Sequence, residues 1–167
     1  RSGCRSLFVG FESINPQSLG EVHKRCNQVE TYLRNVERIH ERGIMVNGSF
    51  VFGMDDDDES VFERTVAWAV EQGIETATFH ILTPYPGTAL HHRLTAQGRI
   101  TCTDWNRYDT RHVVYRPAKL TPAALEQGYW QAYRDFYQWR SIVKGARSKP
   151  DFAGSLMHIA YSGGWKK

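Results

Sequence analysis

The residues able to do chemistry stand mostly at the ends of apolar runs. Glu12 closes the run Leu7-Phe-Val-Gly-Phe-Glu-Ser13, and a carboxylate in that place is either solvated or held for a ligand. Asn47-Gly-Ser-Phe-Val-Phe-Gly53 ends at a glycine and leads straight into the acidic run Asp55–Glu59. Gly53 permits a sharp turn, or the close approach of a ligand to the backbone. The acidic run falls where a helix N-terminus belongs, and its charge complements the helix dipole. His80 lies within Ala77–Thr83 among apolar neighbours and reads as a hydrogen-bonded core residue. His91 and His92 are adjacent on an expected helix, about 100° apart around its axis, and read as surface residues rather than a shared metal site. The three cysteines, Cys4, Cys26 and Cys102, are odd in number and far apart. They form neither a disulfide framework nor a Cys-x-x-Cys metal site, and a reducing, cytoplasmic compartment is expected.

The elements that must position these groups follow from periodicity. Phe50-Val-Phe52 is an unbroken run of β-formers, as in a parallel strand covered on both faces. A first strand is expected over Leu7–Ser13, a short helical stretch over Gln17–Val22 and a third strand over Ala77–Thr83. Between the first two strands, Val29, Tyr32, Leu33, Val36 and Ile39 recur at helical spacing, and Gly43 ends that helix. Between the second and third, Val61, Phe62, Val66, Ala69 and Val70 do the same, with Asp57 or Asp58 as the cap and Gly73 as the stop. Both helices hand over to strands through Gly-Ile, which predicts right-handed βαβ units and a parallel sheet with its strands in chain order and its helices on one face. Three strands cannot close a (β/α)8 barrel, so an open sheet or a piece of a larger barrel is expected.

Beyond the third strand, Pro84-Tyr-Pro-Gly-Thr88 makes a rigid loop, and Thr88 caps a helix running to Gln97. Residues 100–116 read as irregular, with a possible strand at 112–115. Thr121-Pro122 is a cap followed by proline at the first helical position. It opens one long aromatic helix expected to reach about Val143, and residues 151–161 add one or two further helical turns.

The length of 167 residues and an apolar content of 41% suit one globular domain with a real core. There is no run of 18 apolar residues, so no membrane span is expected. The net charge of +3 excludes no class of partner. Arg134, Arg140, Lys144, Arg147 and Lys149, interleaved with Tyr133, Tyr137 and Trp139, leave a nucleic-acid-binding or interaction helix as the alternative reading. The acidic Glu126 and Asp135 weigh against it. The chain opens Arg1-Ser-Gly-Cys and enters a strand almost at once, as a piece of a longer protein would.

Three segments in order resemble the carboxyl-terminal half of a radical S-adenosylmethionine (SAM) domain, of the group that carries a cobalamin-binding domain ahead of it. Val9-Gly-Phe-Glu-Ser13, followed by Lys24-Arg-Cys-Asn27, resembles the fourth barrel strand. Gly43-Ile44 leading to Phe50-Val-Phe-Gly53 resembles the fifth, with Ser49, Val51 and Asp56 in place of the family's Gly, Ile and Glu. Ile81-Leu-Thr-Pro-Tyr-Pro-Gly-Thr88 resembles the sixth, and residues 116–142 resemble the helical extension. The family's Cys-x-x-x-Cys-x-x-Cys motif is absent from this sequence.

The resemblance implies an α/β fold: a fragment of a partial (β/α)6 TIM-type barrel over 1–98, with a loop and helical extension over 99–167. It implies a parent enzyme in which a [4Fe–4S] cluster cleaves SAM to start radical chemistry on a small-molecule substrate, with cobalamin as the further cofactor that the resembled group suggests. In such a site Glu12 suits a SAM hydroxyl or ammonium, with Ser13 beside it, and Lys24 suits the SAM carboxylate. Val51 and Gly53 suit the adenine, and Leu82 and Thr83 offer backbone groups to its edge. Asp56 suits a helix cap better than SAM. The strand edge at residues 6–13 is expected to be open, and dimerisation through it is plausible.

Overall fold

The computed structural model describes residues 3–21, 29–147, 149 and 151–165. Its order is β1 (Ser6–Glu12), α1 (Pro16–Glu21), α2 (Val29–His40), β2 (Met45–Phe52), α3 (Val61–Glu71), β3 (Thr76–Ile81) and α4 (Ala89–Ala96). A 3-10 turn at Trp105–Arg107 follows, then α5 (Pro122–Phe136), α6 (Trp139–Ala146) and α7 (Phe152–Gly164). Among the described residues the strands form one parallel sheet in the order β1-β2-β3, as the sequence predicts.

Alternation along the strands gives the sheet two unlike faces. Phe11, Phe50, Phe52, Phe79 and Ile81 are buried on one side. Trp68 of α3 meets the rings of Phe11 and Phe50, and Tyr32 of α2 meets Phe11 edge-on at 5.0 Å. Tyr133 of α5 stands perpendicular to Phe79 at 5.1 Å. All three helices therefore pack on this face. The other carries Asn47, Ser49 and Val51 of β2 in register with Thr76, Thr78 and His80 of β3. Val51, Thr78 and His80 are only half-buried, so β2 is not covered on both faces as its apolar run suggested.

The two edges of the sheet also differ. β1 has no neighbouring strand on its outer side among the described residues, and Phe8 is 66% exposed. The outer edge of β3 is occupied by side chains of α5. Tyr133 Oη accepts the Phe79 N–H at 3.1 Å and donates to the Phe79 carbonyl at 3.2 Å. Tyr137 Oη does the same for Ala77, at 3.1 and 2.9 Å. The Ile81 N–H continues the row to the Thr110 carbonyl at 2.7 Å.

Three expectations need correcting. The long aromatic helix is broken, because Gln138 is extended (ψ 149°) and starts α6 afresh. The Asp135 carbonyl released by the break accepts from Ser141 Oγ at 2.6 Å. The possible strand at 112–115 reduces to a single antiparallel bridge between Ile100 and Tyr115. The cap of α3 is Ser60, with Asp58 accepting from its N–H at 2.9 Å. Thr88 and Thr121 do cap α4 and α5 as their sequences indicate.

A buried ionic cluster ties the end of the chain to the amino-terminal end of the sheet. Glu75, just before β3, accepts the Val46 N–H at 2.8 Å and lies against His40 at 3.3 Å. The Lys149 ammonium pairs with the same carboxylate and donates to the Gly73 carbonyl at 2.8 Å. Ser162 of α7 donates to the Glu75 carbonyl at 2.6 Å. Among the described residues no helix is long and apolar enough to cross a membrane.

Candidate active site at the carboxyl ends of the strands

Parallel α/β sheets gather ligand groups where their strands end, and here three strand ends share one rim. At the end of β1 the register slips between Gly10 and Glu12, and Glu12 adopts φ 64°. The slip folds its side chain back over Gly10, where a methyl group would stand 2.8 Å from Glu12 Oε1. The glycine two places before the glutamate thus makes room for the carboxylate. Glu12 is close enough to His80 for its charge to act on the imidazole. Ser13 is buried in the turn that follows, with Oγ accepting the Asn15 N–H at 3.0 Å.

At the end of β2, Val51 lies on the open face in register with His80. Gly53 is spoken for within the protein. Its N–H is accepted by Asp57 at 2.9 Å, its carbonyl accepts from the Tyr115 hydroxyl, and Tyr115 and Leu125 fill the space a side chain would take. Asp57 is the member of the acidic run that builds the rim. Buried, it accepts the Gly53 and Met54 N–H groups and, at 3.0 Å, the Ser18 hydroxyl of α1. Asp55 binds Arg99 at 2.6 Å and Arg93 at 3.0 Å, and the Arg99 hydrogen bond holds its carboxyl below the usual carboxylate range. Asp56 pairs with Lys119 at 2.9 Å at the surface and is not the cap of α3.

At the end of β3, the Leu82 N–H is accepted by Phe52 at 2.8 Å, and the Thr83 carbonyl accepts from Tyr85 at 3.0 Å. The Leu82 carbonyl and the Thr83 N–H make no hydrogen bond among the described residues. They belong to one trans peptide and point opposite ways, so a ligand edge meets one of them at a time. Lys24 lies outside the described residues.

The structure therefore brings Glu12, Val51 and the peptide after Leu82 to one rim, while Ser13 and Gly53 are committed to its framework. It adds His80, which sequence reasoning placed in the core. His80 stands on the open face with Nδ1 3.3 Å from Thr110 Oγ1, and burial holds its imidazole below the usual range against the opposing pull of Glu12. The strict alternation of Thr76–Ile81 was the signal that could have found it, since it puts His80 opposite Phe79.

The fold is that of a fragment of a parallel α/β barrel followed by helices. No family model matches the chain. It is 35% identical over 150 residues to the bacteriochlorophyllide d C-12(1)-methyltransferase of Chlorobaculum tepidum, covering 90% of this chain and 32% of that protein. The bacteriochlorophyllide d C-8(2)-methyltransferase of the same organism is 29% identical, over 85% of this chain and 32% of that protein. The anaerobic magnesium-protoporphyrin IX monomethyl ester cyclase of Cereibacter sphaeroides is 27% identical, over 85% and 23%. The similarity to these proteins supports reading the chain as a carboxyl-terminal fragment of the radical SAM family. It spans about a third of the length of the first two relatives.

Proposed function

We propose that this chain supplies the SAM-holding rim of a radical SAM enzyme acting on a magnesium tetrapyrrole. The observation that carries the SAM part is the convergence of the Glu12 carboxylate and the unspent Leu82–Thr83 peptide beside Val51. Glu12 accepts from a SAM hydroxyl or ammonium, Val51 contacts the adenine, and the Leu82 carbonyl accepts from its exocyclic amine. Lys24 meets the carboxylate. When bound, SAM and a [4Fe–4S] cluster held by other parts of the parent supply the radical that starts the reaction. Cobalamin use by the parent, as a methyl carrier, follows from the same resemblance. Tyr133 and Tyr137 are engaged on β3, which disfavours an interaction helix built from them. Association between copies would run through the β1 edge. The tetrapyrrole part is supported by the names of the bacteriochlorophyllide and magnesium-protoporphyrin relatives. The match to the hopanoid C-2 methylase of Rhodopseudomonas palustris, 30% identical over 59% of this chain, favours a polycyclic hydrocarbon as the second reading.

Glu12→Gln in the intact parent is the test. A charge-assisted hydrogen bond contributes about 1.5–3 kcal/mol, so SAM affinity by calorimetric titration should fall about 10-fold or more, with the melting temperature nearly unchanged. Unaltered SAM affinity would remove Glu12 from the site.

A further inference from the structure

His80 is the rim residue with chemistry left over. Nδ1 is tethered to Thr110, and Nε2 makes no hydrogen bond among the described residues. Two non-glycine residues have left-handed backbone among those described, Glu12 at φ 64° and Thr110 at φ 65°, and both flank this imidazole. Such conformations are costly and persist where the surroundings enforce them, commonly at functional sites. For β-branched Thr110 the conformation is a true outlier. The strain is thus concentrated on the two residues that set the position and polarity of one ring.

A Nδ1–H donated to Thr110 Oγ1 leaves the Nε2 lone pair free, which is the usual arrangement of a metal-binding histidine. No cluster of three metal-ligating side chains exists among the described residues, so His80 is not part of a protein-built metal centre there. A metal that arrives already held by four ring nitrogens needs a single further donor. The magnesium of a tetrapyrrole is such a metal, and it readily takes a fifth, axial ligand.

Resting on the tetrapyrrole reading above, we propose that His80 Nε2 is the axial ligand of the substrate's magnesium, holding the macrocycle over the open face of β2 and β3. The flat ring would lie against the half-buried Thr78, which neighbours His80 on the same face of β3, leaving Val51 to the adenine. Burial disfavours the protonated imidazole, the form that cannot coordinate, against the opposing pull of the Glu12 carboxylate.

The test uses the intact parent enzyme with magnesium protoporphyrin IX, metal-free protoporphyrin IX and hydroxocobalamin as probes, followed by absorbance. The wild type should bind the magnesium porphyrin with the spectrum of a five-coordinate imidazole complex. His80→Ala should lose that spectrum and bind the magnesium porphyrin about 10-fold or more weakly. Its affinities for the metal-free ring and for SAM should be unchanged, and added imidazole should restore the spectrum. Wild-type binding of both porphyrins without the shift overturns the ligation and leaves the substrate class standing. Binding of neither overturns both. A shift with hydroxocobalamin alone overturns the magnesium assignment in favour of a corrin. Should His80→Ala fail to fold, His80→Gln tests the same loss with a side chain of similar size.

Discussion

The Tyr115 hydroxyl donates to the Gly53 carbonyl across the space that a side chain at 53 would fill. The glycine that ends β2 is therefore required by its own protein. Gly53 also sits at φ 99°, outside the range side chains tolerate. Gly53→Ala should destabilise the chain by about 1–3 kcal/mol for the backbone alone, with overpacking against Leu125 adding to it. Urea denaturation measures this. Full stability with weakened SAM binding would instead show that a ligand sets the glycine.

Gly10 has a different duty. A methyl group there would stand 2.8 Å from Glu12 Oε1. Gly10→Ala should displace the carboxylate without changing any charge, and so weaken SAM binding in the parent about as much as Glu12→Gln does, roughly 10-fold. Calorimetric titration of the two variants side by side checks this. A Gly10→Ala protein with wild-type SAM affinity would contradict the placement.

Each tyrosine on β3 satisfies one N–H and one carbonyl. Tyr133→Phe and Tyr137→Phe leave those groups without partners, at about 1–3 kcal/mol for each unsatisfied group. The double variant should also aggregate faster, since it bares a second strand edge. Chemical denaturation and light scattering read the two effects separately.

Glu75 gives the fold a pH dependence with a defined sign. Burial pushes its carboxyl up, but His40, the Lys149 ammonium and the Val46 N–H outweigh burial and hold it below the usual range. A carboxyl more acidic in the folded than in the unfolded chain stabilises the fold above its ordinary value of about 4.3 and loses that contribution as pH falls below it. Glu75→Gln leaves Lys149 buried without its partner and should cost about 3–5 kcal/mol at neutral pH. The difference in melting temperature between wild type and variant should narrow below about pH 4. A gap that is constant down to pH 3 would show that the pair contributes no charge-dependent stability.

The parts of the fold carried by local pattern were legible in the sequence. The phenylalanines of β1, β2 and β3 and the apolar stripes of α2 and α3 repeat within a few residues, and Thr88 and Thr121 announce their helices by chemistry at one position. The rim was legible as a place, because three strands of one sheet must end together. Contacts between distant residues were not. Lys149 meets Glu75 across 74 positions, and Tyr137 meets Ala77 across 60. Neither pair leaves a periodic trace. The break at Gln138 was hidden for the same reason, since Tyr137 at the helix end is turned onto β3 by a bond no local window contains. Asp57 could not be told from its three neighbours, because all four have the same side chain and only the turn decides which one faces inward.

The unequal edges of the sheet limit how copies of this chain can polymerise. Head-to-tail stacking needs β1 of one copy to meet β3 of the next, and the tyrosine hydroxyls already occupy that side of β3. The strand pairing that remains is β1 against β1, about a two-fold axis, which consumes the open edge of both copies. Were copies of this chain to pair by their strand edges, growth would end after one step: α5 would act as a chain stopper, and the product would be a closed pair and not a fibre.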